Sequence, residues 1–360
     1  KLISLNNSDT YIQNSTFSHQ QALLDPSISN NSRKSIVLNN CILNNINPIY
    51  LNTFNDGRRA INIFDSEVDI ETNIFTGNVF AITVDGNNNY KEVNIIGNSF
   101  SNIQGGGMIK FIFGVSGNIE GNIFNHNIVA FGEDIVIAHN TCTSCNKTIE
   151  VKNNTFNDHQ KDALIFTNNS GLDITIHNNT FNGSGSANFF LPLAINIIEF
   201  SAASFASFNI SNNIMNNAKD GIKIINVNTP LVNDNVVSFG GFDPSGVKTG
   251  IKLQNCLNSN VIHNQITSNG NKQPTMIGIR MTDCGGLSFV TDNDVIDDLG
   301  CGILLAGDNR GLIPQFNTIN NTITNSVNAD YVLIHNNLGD VENNIRFNYW
   351  YMSDYCTAVD

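Results

Sequence analysis

The sequence predicts an all-β fold, a single-stranded right-handed parallel β-helix (a solenoid) whose successive coils are built from short strands. Two phrases repeat in phase, and each marks one coil. The first begins with Gly-Ile and recurs at steps of 29, 28 and 24 residues, at Gly221, Gly250, Gly278 and Gly302. The second is Asn-x-apolar and recurs at steps of 29, 29 and 28 residues, at Asn235, Asn264, Asn293 and Asn321. The period is too short for a βαβ unit, and no window between the phrases shows helical periodicity.

The composition narrows the class of protein further. Only 14% of the 360 residues are charged, 41% are hydrophobic, and the net charge is −13. Long helices need more Ala, Leu, Glu and Lys than this chain has. A nucleic-acid partner is excluded because phosphate backbones require a basic face, and no apolar run predicts insertion into a membrane.

The earlier coils repeat the second phrase with a period of two in front of it. Val and Ile are predicted to point inward, and Asn follows where the strand turns, because Asn tolerates left-handed backbone angles. Stacked once per coil, these amides should form a hydrogen-bonded ladder inside the solenoid. The clearest copies begin at Ile36, Val68, Val93, Ile119, Ile149, Ile174 and Phe208.

One inward position changes its filling midway along the chain. In the first half it holds Phe75, Phe100, Phe124, Phe156 and Phe181. In the second half it holds Met215, Val237, Ile266, Val295 and Ile323. We interpret both series as core.

Small residues precede the other inward Ile in each coil, as in Ala60-Ile, Ala81-Ile, Ala163-Leu and Ala194-Ile. A small residue suits a tight corner at the entry to a strand. We expect about 12–13 coils in a single domain over residues 1–360, at about 4.8 Å per coil. Residues 135–150 break the period, and loop insertions are predicted at 183–191 and 239–247.

These residues resemble a known repeat. Asn-x-(Ile/Phe) alternating with Gly-Ile-x-(Ile/Leu) is similar to the parallel β-helix repeat of the pectate-lyase-like superfamily, over about residues 36–350. The superfamily includes lyases, hydrolases, epimerases, phage tail-spike proteins and surface adhesins, so the resemblance implies the fold more strongly than a function. The segment Phe347–Cys356 resembles the close of the last coil in secreted, especially Bacteroidetes-type, proteins, with Tyr351 in place of the usual Gly. This resemblance implies a secreted or cell-surface protein of which the chain is one part, with further domains in the same polypeptide.

The most distinctive polar feature is a column of cations. In Gly-Ile-Lys-Ile both Ile point inward, so Lys223, Lys252 and Arg280 are predicted to face outward on successive coils. Three cations spaced by about 4.8 Å repel one another unless something neutralises them. The sequence favours the protein's own acids, Asp220 and Asp283, and the alternative is an acidic polysaccharide lying along the column.

The catalytic signatures of the superfamily are incomplete. Lyases of this fold abstract a proton beside a uronate carboxyl group, and Lys252 with Arg280 resembles the Lys and Arg of one such family. That family's Arg lies in Leu-Arg-His-Gly, whereas here the phrase is Ile279-Arg280-Met281-Thr282. The hydrolase phrases Gly-His-Gly and Arg-Ile-Lys are absent. The epimerase phrase Asp-Pro-His has only a partial counterpart, because Ser245 follows Asp243-Pro244 where the His would act.

Two groups of residues contain possible metal ligands, and two groups of cysteines could form disulfides. Asp294, Asp297 and Asp298 supply the hard oxygen atoms that calcium prefers, but without a known calcium spacing, so a solvated turn is favoured. His139, Cys142 and Cys145, with His159, could ligate zinc; a local disulfide or free thiols are the alternatives, and free thiols are favoured. Cys256 and Cys284 occupy equivalent positions on adjacent coils, where stacked thiols are favoured over a bond. No cofactor is predicted.

The sequence thus leads to an extracellular β-helix module, adhesin-like or carbohydrate-binding, whose partner is a polysaccharide or cell-surface glycan. Its ligand-binding candidates are Lys223, Lys252 and Arg280. The alternative is a polysaccharide lyase for a uronate-containing glycan with Lys252 and Arg280 as catalytic candidates. Exposed aromatic residues for sugar contact are expected at Phe189, Phe190 or Phe239.

Overall fold

The computed structural model describes the backbone of most of the chain. The described residues are 3–6, 12–18, 34–41, 49–56, 59–103, 108–125, 134–138, 147–159, 162–169, 171–183, 193–199, 207–240, 248–268, 273–296, 299–308, 315–319, 322–324, 329–336 and 343–346. They fall into two compact units, unit 1 (Lys1–Thr175) and unit 2 (Ile176–Asp360). Among the described residues no helix is long and apolar enough to cross a membrane.

Unit 1 is built from short strands. In chain order they are β1 (Ile3–Asn6), β2 (Ile12–Gln13), β3 (Thr16–Ser18), β4 (Lys34–Asn39), β5 (Ile49–Tyr50), β6 (Thr53–Asn55), β7 (Arg59–Phe64), β8 (Val68–Glu71), β9 (Ile74–Thr76), β10 (Phe80–Asp85), β11 (Lys91–Ile96), β12 (Ser99–Ser101), β13 (Ile109–Ile112), β14 (Val115–Glu120), β15 (Ile123–Asn125), β16 (Ile135–Ala138), β17 (Lys147–Lys152), β18 (Thr155–His159), β19 (Leu164–Thr167) and β20 (Leu172–His177), the last of which includes the boundary.

Unit 2 continues the same pattern. Its strands are β21 (Thr180–Gly183), β22 (Leu193–Ile198), β23 (Ser207–Ser211), β24 (Ile214–Ala218), β25 (Asp220–Ile225), β26 (Leu231–Asn233), β27 (Val236–Phe239), β28 (Lys248–Gln254), β29 (Asn260–Ile262), β30 (Gln265–Thr267), β31 (Gln273–Thr282), β32 (Leu287–Thr291), β33 (Asp294–Ile296), β34 (Leu299–Asp308), β35 (Gln315–Ile319), β36 (Thr322–Thr324), β37 (Ala329–Asn336) and β38 (Asn343–Arg346).

Within each unit the strands pair in parallel with the third strand further along the chain, so three strands make one coil. In unit 1 the three sheets run β1-β4-β7-β10-β13-β16-β19, β2-β5-β8-β11-β14-β17-β20 and β3-β6-β9-β12-β15-β18. In unit 2 they run β22-β25-β28-β31-β34-β37, β23-β26-β29-β32-β35-β38 and β21-β24-β27-β30-β33-β36. This is the predicted right-handed parallel β-helix. Counted over the described strands, the first sheet position is occupied thirteen times, which agrees with the predicted number of coils.

The asparagine ladder is present inside both units. The side-chain Oδ1 of Asn98 accepts hydrogen bonds from the backbone N–H of Asn73 (2.8 Å) and from its Nδ2 (3.0 Å). The same Nδ2 donates to the carbonyl of Ile49. Asn264 accepts from both groups of Asn235 in the same way, at 3.0 Å each. The ladder consists of Asn52, Asn73, Asn98, Asn122 and Asn154 in unit 1 and Asn179, Asn213, Asn235, Asn264 and Asn293 in unit 2.

The left-handed backbone, however, belongs to a different residue from the one predicted. No ladder asparagine has a positive φ; the residue immediately before it does. Asparagine takes this role at Asn153, Asn178 and Asn212, and glycine takes it at Gly97 and Gly121. Elsewhere the residue is Leu51, Thr72, Asp234, His263 or Asp292. Because the preceding residue makes the bend, the side chain of the ladder asparagine can hydrogen-bond to the next coil. One residue therefore makes the turn, and the asparagine after it forms the side-chain hydrogen bonds of the ladder.

The core fillings agree with the prediction. In unit 1 six phenylalanine rings stack in one column with centroid separations of 4.7–4.9 Å, and all are nearly parallel. They are Phe17, Phe54, Phe75, Phe100, Phe124 and Phe156. In unit 2 the equivalent slot holds Phe181 first and then Met215, Val237, Ile266 and Val295, all at most 1% exposed. The side chain of Ile323 lies outside the described residues.

The glycine of the Gly-Ile phrase is needed for close approach between coils. A Cβ on Gly250 would lie 2.7 Å from the carbonyl oxygen of Gly278 and 2.8 Å from a methyl group of Ile266. A Cβ on Gly221 would meet the carbonyl oxygen of Gly250. Glycine at this position thus avoids a clash with the next coil and with the core. The sequence predicted a tight corner here, at the entry to the strand, but Gly221 and Gly250 lie within β25 and β28.

The predicted irregular segments lie partly outside the described residues. Within 135–150, the strands Ile135–Ala138 and Lys147–Lys152 are regular, and residues 139–146 are not described. Residues 184–192 and 241–247, which contain most of the two predicted insertions, are not described either. The single-domain boundary of 1–360 remains a prediction beside the two compact units.

Candidate functional site

The cation column is a feature of the first sheet of unit 2. Lys223, Lys252 and Arg280 lie on β25, β28 and β31, where Lys223 is directly opposite Lys252 and Lys252 directly opposite Arg280. Their chain neighbours on both sides point inward and are fully buried, at Ile222, Ile224, Ile251, Leu253, Ile279 and Met281. The three cations are half-buried on the outer face. The structure therefore brings the three predicted residues together in register.

The column has uncharged ends. Asn196 on β22 is opposite Lys223, and Leu304 on β34 is opposite Arg280. Beside the column, the Nε of Arg280 donates a hydrogen bond to the hydroxyl of Thr282 at 3.3 Å. The positive charge is thus confined to three consecutive coils of the described sheet.

Electrostatic repulsion acts within the column. Burial lowers the pKa of the Lys252 amine from its ordinary value, and the positive charges of Arg280 and Lys223 lower it further; Asp220 opposes them. Both causes disfavour the charged form of Lys252. The column is therefore a place where an added negative charge would be favourable.

Asp220 lies at the start of β25 and acts on the column without an ion pair. Its Oδ1 accepts a hydrogen bond from the backbone N–H of Thr249 at 2.6 Å. Burial raises the pKa of its carboxyl group, against the effects of that hydrogen bond and of the nearby lysines. Among the described residues no carboxylate forms an ion pair with Lys223, Lys252 or Arg280. The favoured prediction, neutralisation of the cations by the protein's own acids, has only the electrostatic effect of Asp220 in its support, and it stays a prediction.

Asp283, the other predicted acid, takes a structural position. Asp283 follows β31, in the turn that leaves the sheet, and has a φ of 53°. It directly precedes the buried Cys284. It is therefore one of the left-handed turn residues.

The metal-site hypotheses gain no geometric support in the described part of the chain. Asp294 is exposed on β33, and Asp297 and Asp298 lie outside the described residues. His139, Cys142 and Cys145 also lie outside them, as does the side chain of His159. Within the described residues no group of three or more His, Cys, Asp or Glu side chains could hold a metal ion. Calcium and zinc stay predictions.

One aromatic prediction is wrong. Phe239 is completely buried at the end of β27, because its side chain points into the core opposite Ala218. Phe189 and Phe190 lie outside the described residues, as do Asp243, Pro244 and Ser245. The sugar-stacking role of exposed aromatics is withdrawn for Phe239 alone.

Two polar features were missed by the sequence prediction. His263 lies between two carboxylates on adjacent coils, with its Nδ1 3.7 Å from Asp234 and its Nε2 3.6 Å from Asp292. All three have positive φ and directly precede a ladder asparagine, which is the signal that could have placed them in one column. Lys248 is completely buried at the start of β28 and donates to the carbonyl of Gly240 at 3.3 Å. No pattern in the sequence marks it as buried.

Comparisons with known proteins identify no family for this chain. No protein-family model matches the chain, and no curated protein sequence matches it. Among solved structures, the periplasmic alginate epimerase AlgG is similar with a TM-score of 0.38 and 11% identity, over 87% of this chain and 76% of that one. The A-module of the Azotobacter vinelandii mannuronan C-5 epimerase AlgE6 has a TM-score of 0.35 and 12% identity, over 86% of this chain and 82% of that one. Similarity at this level identifies no function, and Phe347–Cys356, which carry the Bacteroidetes-type resemblance, lie outside the described residues.

Proposed function

We propose that this chain is an exported β-helix module that binds an acidic glycan along the cation column. The observation that carries the proposal is the register of Lys223, Lys252 and Arg280 on the outer face of one sheet, where they have no ion-pair partner among the described carboxylates. A linear polyanion that follows the coil axis can place a negative charge beside each of them. Such contact would add a negative charge beside Lys252, whose pKa is lowered by burial and by the positive charges of Arg280 and Lys223. A module of this kind suits an adhesin-like protein at a cell surface.

The form of the ligand follows from the form of the site. The cations repeat once per coil, at about 4.8 Å, so the best ligand carries its charges at regular short intervals along an extended chain. Pectate and alginate have one carboxylate on each sugar. Because the column is short and half-buried, we expect modest affinity that falls steeply with added salt.

The decisive comparison is between two polymers with the same sugar chain, one charged and one uncharged. Binding of pectate, alginate and chondroitin is measured by titration calorimetry beside fully methyl-esterified pectin, which keeps the sugar chain of pectate but lacks its negative charges. Lys252→Gln should weaken pectate binding roughly ten-fold, about 1.4 kcal/mol. Lys110→Gln is the matched control, since Lys110 has the same outward position in the first sheet of unit 1 between Thr83 and Val136. Equal binding of the esterified polymer, or an unchanged affinity of Lys252→Gln, would refute the proposal.

A second candidate is a polysaccharide lyase, and one observation favours it. A lysine that abstracts a proton needs a lowered pKa, and the pKa of Lys252 is lowered. Arg280 on the next coil could then neutralise the uronate carboxylate. Incubation with the same polymers, followed by ultraviolet absorbance of the unsaturated product, distinguishes the two functions. Product that disappears in Lys252→Ala establishes the lyase, and binding without product supports the non-catalytic module.

A further inference from the structure

Cys256 and Cys284 occupy the same place on two adjacent coils of unit 2. Cys256 follows β28 and Cys284 follows β31, each in the turn that leaves the first sheet. The residues after them, Leu257 and Gly285, form a parallel bridge. The N–H of Gly285 also donates to the carbonyl of Cys256 at 2.8 Å. The two cysteines are therefore held in register by the backbone on both sides.

Their side chains meet in the core. Cys256 is 0% and Cys284 1% exposed, and each thiol affects the pKa of the other. The Sγ of Cys256 lies 3.4 Å from the carbonyl oxygen of Gln254, and the Sγ of Cys284 lies 3.5 Å from that of Thr282. The cysteines whose side chains are described, Cys41, Cys256 and Cys284, are all free thiols, and among these three Cys256 and Cys284 are the two that interact with each other.

Unit 1 contains the same turn with a single cysteine. Cys41 follows β4 and is also completely buried, with its Sγ 3.5 Å from the carbonyl of Asn39. On the next coil, however, the equivalent position is Ser66, whose hydroxyl accepts a hydrogen bond from the Cys41 N–H at 2.9 Å. The chain thus supplies an internal control in which the cysteine has the same environment but no second sulfur.

The backbone spacing allows a covalent bond. Paired strands lie about 4.8 Å apart, within the Cα separation of about 4.4–6.8 Å that disulfides span. We propose that Cys256 and Cys284 form a cross-coil disulfide when the chain folds in the presence of a disulfide donor. One thiolate attacks the donor disulfide and releases a donor thiol. The second thiolate then attacks the mixed disulfide and releases the other donor thiol, so two electrons pass from the cysteine pair to the donor.

The burial of the pair decides when this bond can form. Burial raises the pKa of the Cys284 thiol well above its ordinary value, so this group is not a thiolate in the closed coil. Exchange therefore takes place while the coils are still open, and the closed core then protects the bond from reductant. The bond links residues four positions beyond Lys252 and Arg280, and it joins the two strands that carry them.

The experiment refolds the reduced, unfolded protein with either oxidised or reduced glutathione. Thiols are then counted by alkylation in denaturant, and oxidised glutathione should remove Cys256 and Cys284 from the count. Non-reduced digestion with trypsin and an Asp-specific protease should yield a linked pair containing residues 253–272 and 283–291, a pair that leaves out Cys301. The oxidised protein should also unfold at a temperature several degrees higher than the reduced protein.

Variants separate this bond from other thiol chemistry. Cys41→Ser should keep the linked peptides and the difference in melting temperature, whereas Cys256→Ser should lose both. Peptide mapping of the wild-type protein decides the matter even if a variant folds poorly. Alkylation of both Cys256 and Cys284 after refolding with oxidised glutathione, or linkage of either to a different cysteine, would overturn the proposal.

Discussion

Units 1 and 2 have the same coil architecture, but they differ in the side chains of the core and of the outer face. The inner slot of unit 1 is a column of stacked phenylalanine rings, and the matching slot of unit 2 holds one ring, Phe181, followed by Met215 and aliphatic residues. On the outer face of the first sheet, the position that holds Lys223, Lys252 and Arg280 in unit 2 holds Asn62, Thr83, Lys110, Val136 and Ile165 in unit 1. The ladder is the same in both. The comparison teaches that hydrogen bonding sets the coil, while the side chains that stack on either face are free to differ.

Two lysines show the same contrast in electrostatics. On unit 1, a hydrogen bond to Glu150 raises the pKa of Lys152, whose Nζ lies 2.6 Å from that carboxylate and 3.5 Å from Glu120. On unit 2, burial and like charges lower the pKa of Lys252. Lys152 is thus paired with carboxylates in unit 1, whereas Lys252 lies beside other positive charges in unit 2.

The largest expected effect concerns the inner slot. Phe100→Ala removes a ring stacked between Phe75 and Phe124, and we expect a loss of about 3–5 kcal/mol in the free energy of unfolding. Val237→Ala in unit 2 removes only two buried methyl groups and should cost about 2 kcal/mol. Urea unfolding followed by circular dichroism measures both. Equal losses would mean that stacking of the rings adds nothing to their burial.

A smaller effect is expected from the residue before the inward Ile. Gly250→Ala should destabilise by about 1–3 kcal/mol, because the new methyl group meets the Gly278 carbonyl and Ile266. Unit 1 already has Ala81 at the equivalent place, fully buried, so Ala81→Gly should cost about 1 kcal/mol or less. Thermal unfolding compares the two. If Gly250→Ala left the melting temperature unchanged, unit 2 would accommodate a methyl group at this position as unit 1 accommodates Ala81.

The smallest effects are those of the two lysines, and their signs differ. The raised pKa of Lys152 means that its contribution to stability is present below about 10.4 and lost as the pH rises through the folded value above it. The lowered pKa of Lys252 means that its charge costs stability at neutral pH, and that the cost disappears as the pH rises from the folded value towards about 10.4.

Substitution with Gln should therefore act in opposite directions. At neutral pH, Lys152→Gln should lower the free energy of unfolding by no more than about 1 kcal/mol and so lower the melting temperature slightly. Lys252→Gln should raise the melting temperature. Both differences should shrink in alkaline buffer. Changes of the same sign in the two variants would contradict the assignment of an uncompensated charge to unit 2.

Much of the fold was readable in the sequence because its determinants repeat. Once Asn235, Asn264 and Asn293 recur at one period, the inward Ile and the parallel stacking follow from the alternation of a strand. The orientation of Lys223, Lys252 and Arg280 followed in the same way, because each lies between two inward apolar residues. A period-two pattern states which way a side chain points without reference to any other part of the chain.

What the tertiary structure alone decided depends on distances between residues far apart in the sequence. The burial of Phe239 and Lys248, the position of His263 between two carboxylates, and the absence of an ion pair between Asp220 and the cations all depend on which atoms the next coil places nearby. A repeat fixes register and direction to within one coil. It does not fix the contacts of a few tenths of a nanometre that determine hydrogen bonding, burial and the pKa of Lys252, because those arise only when the coils pack.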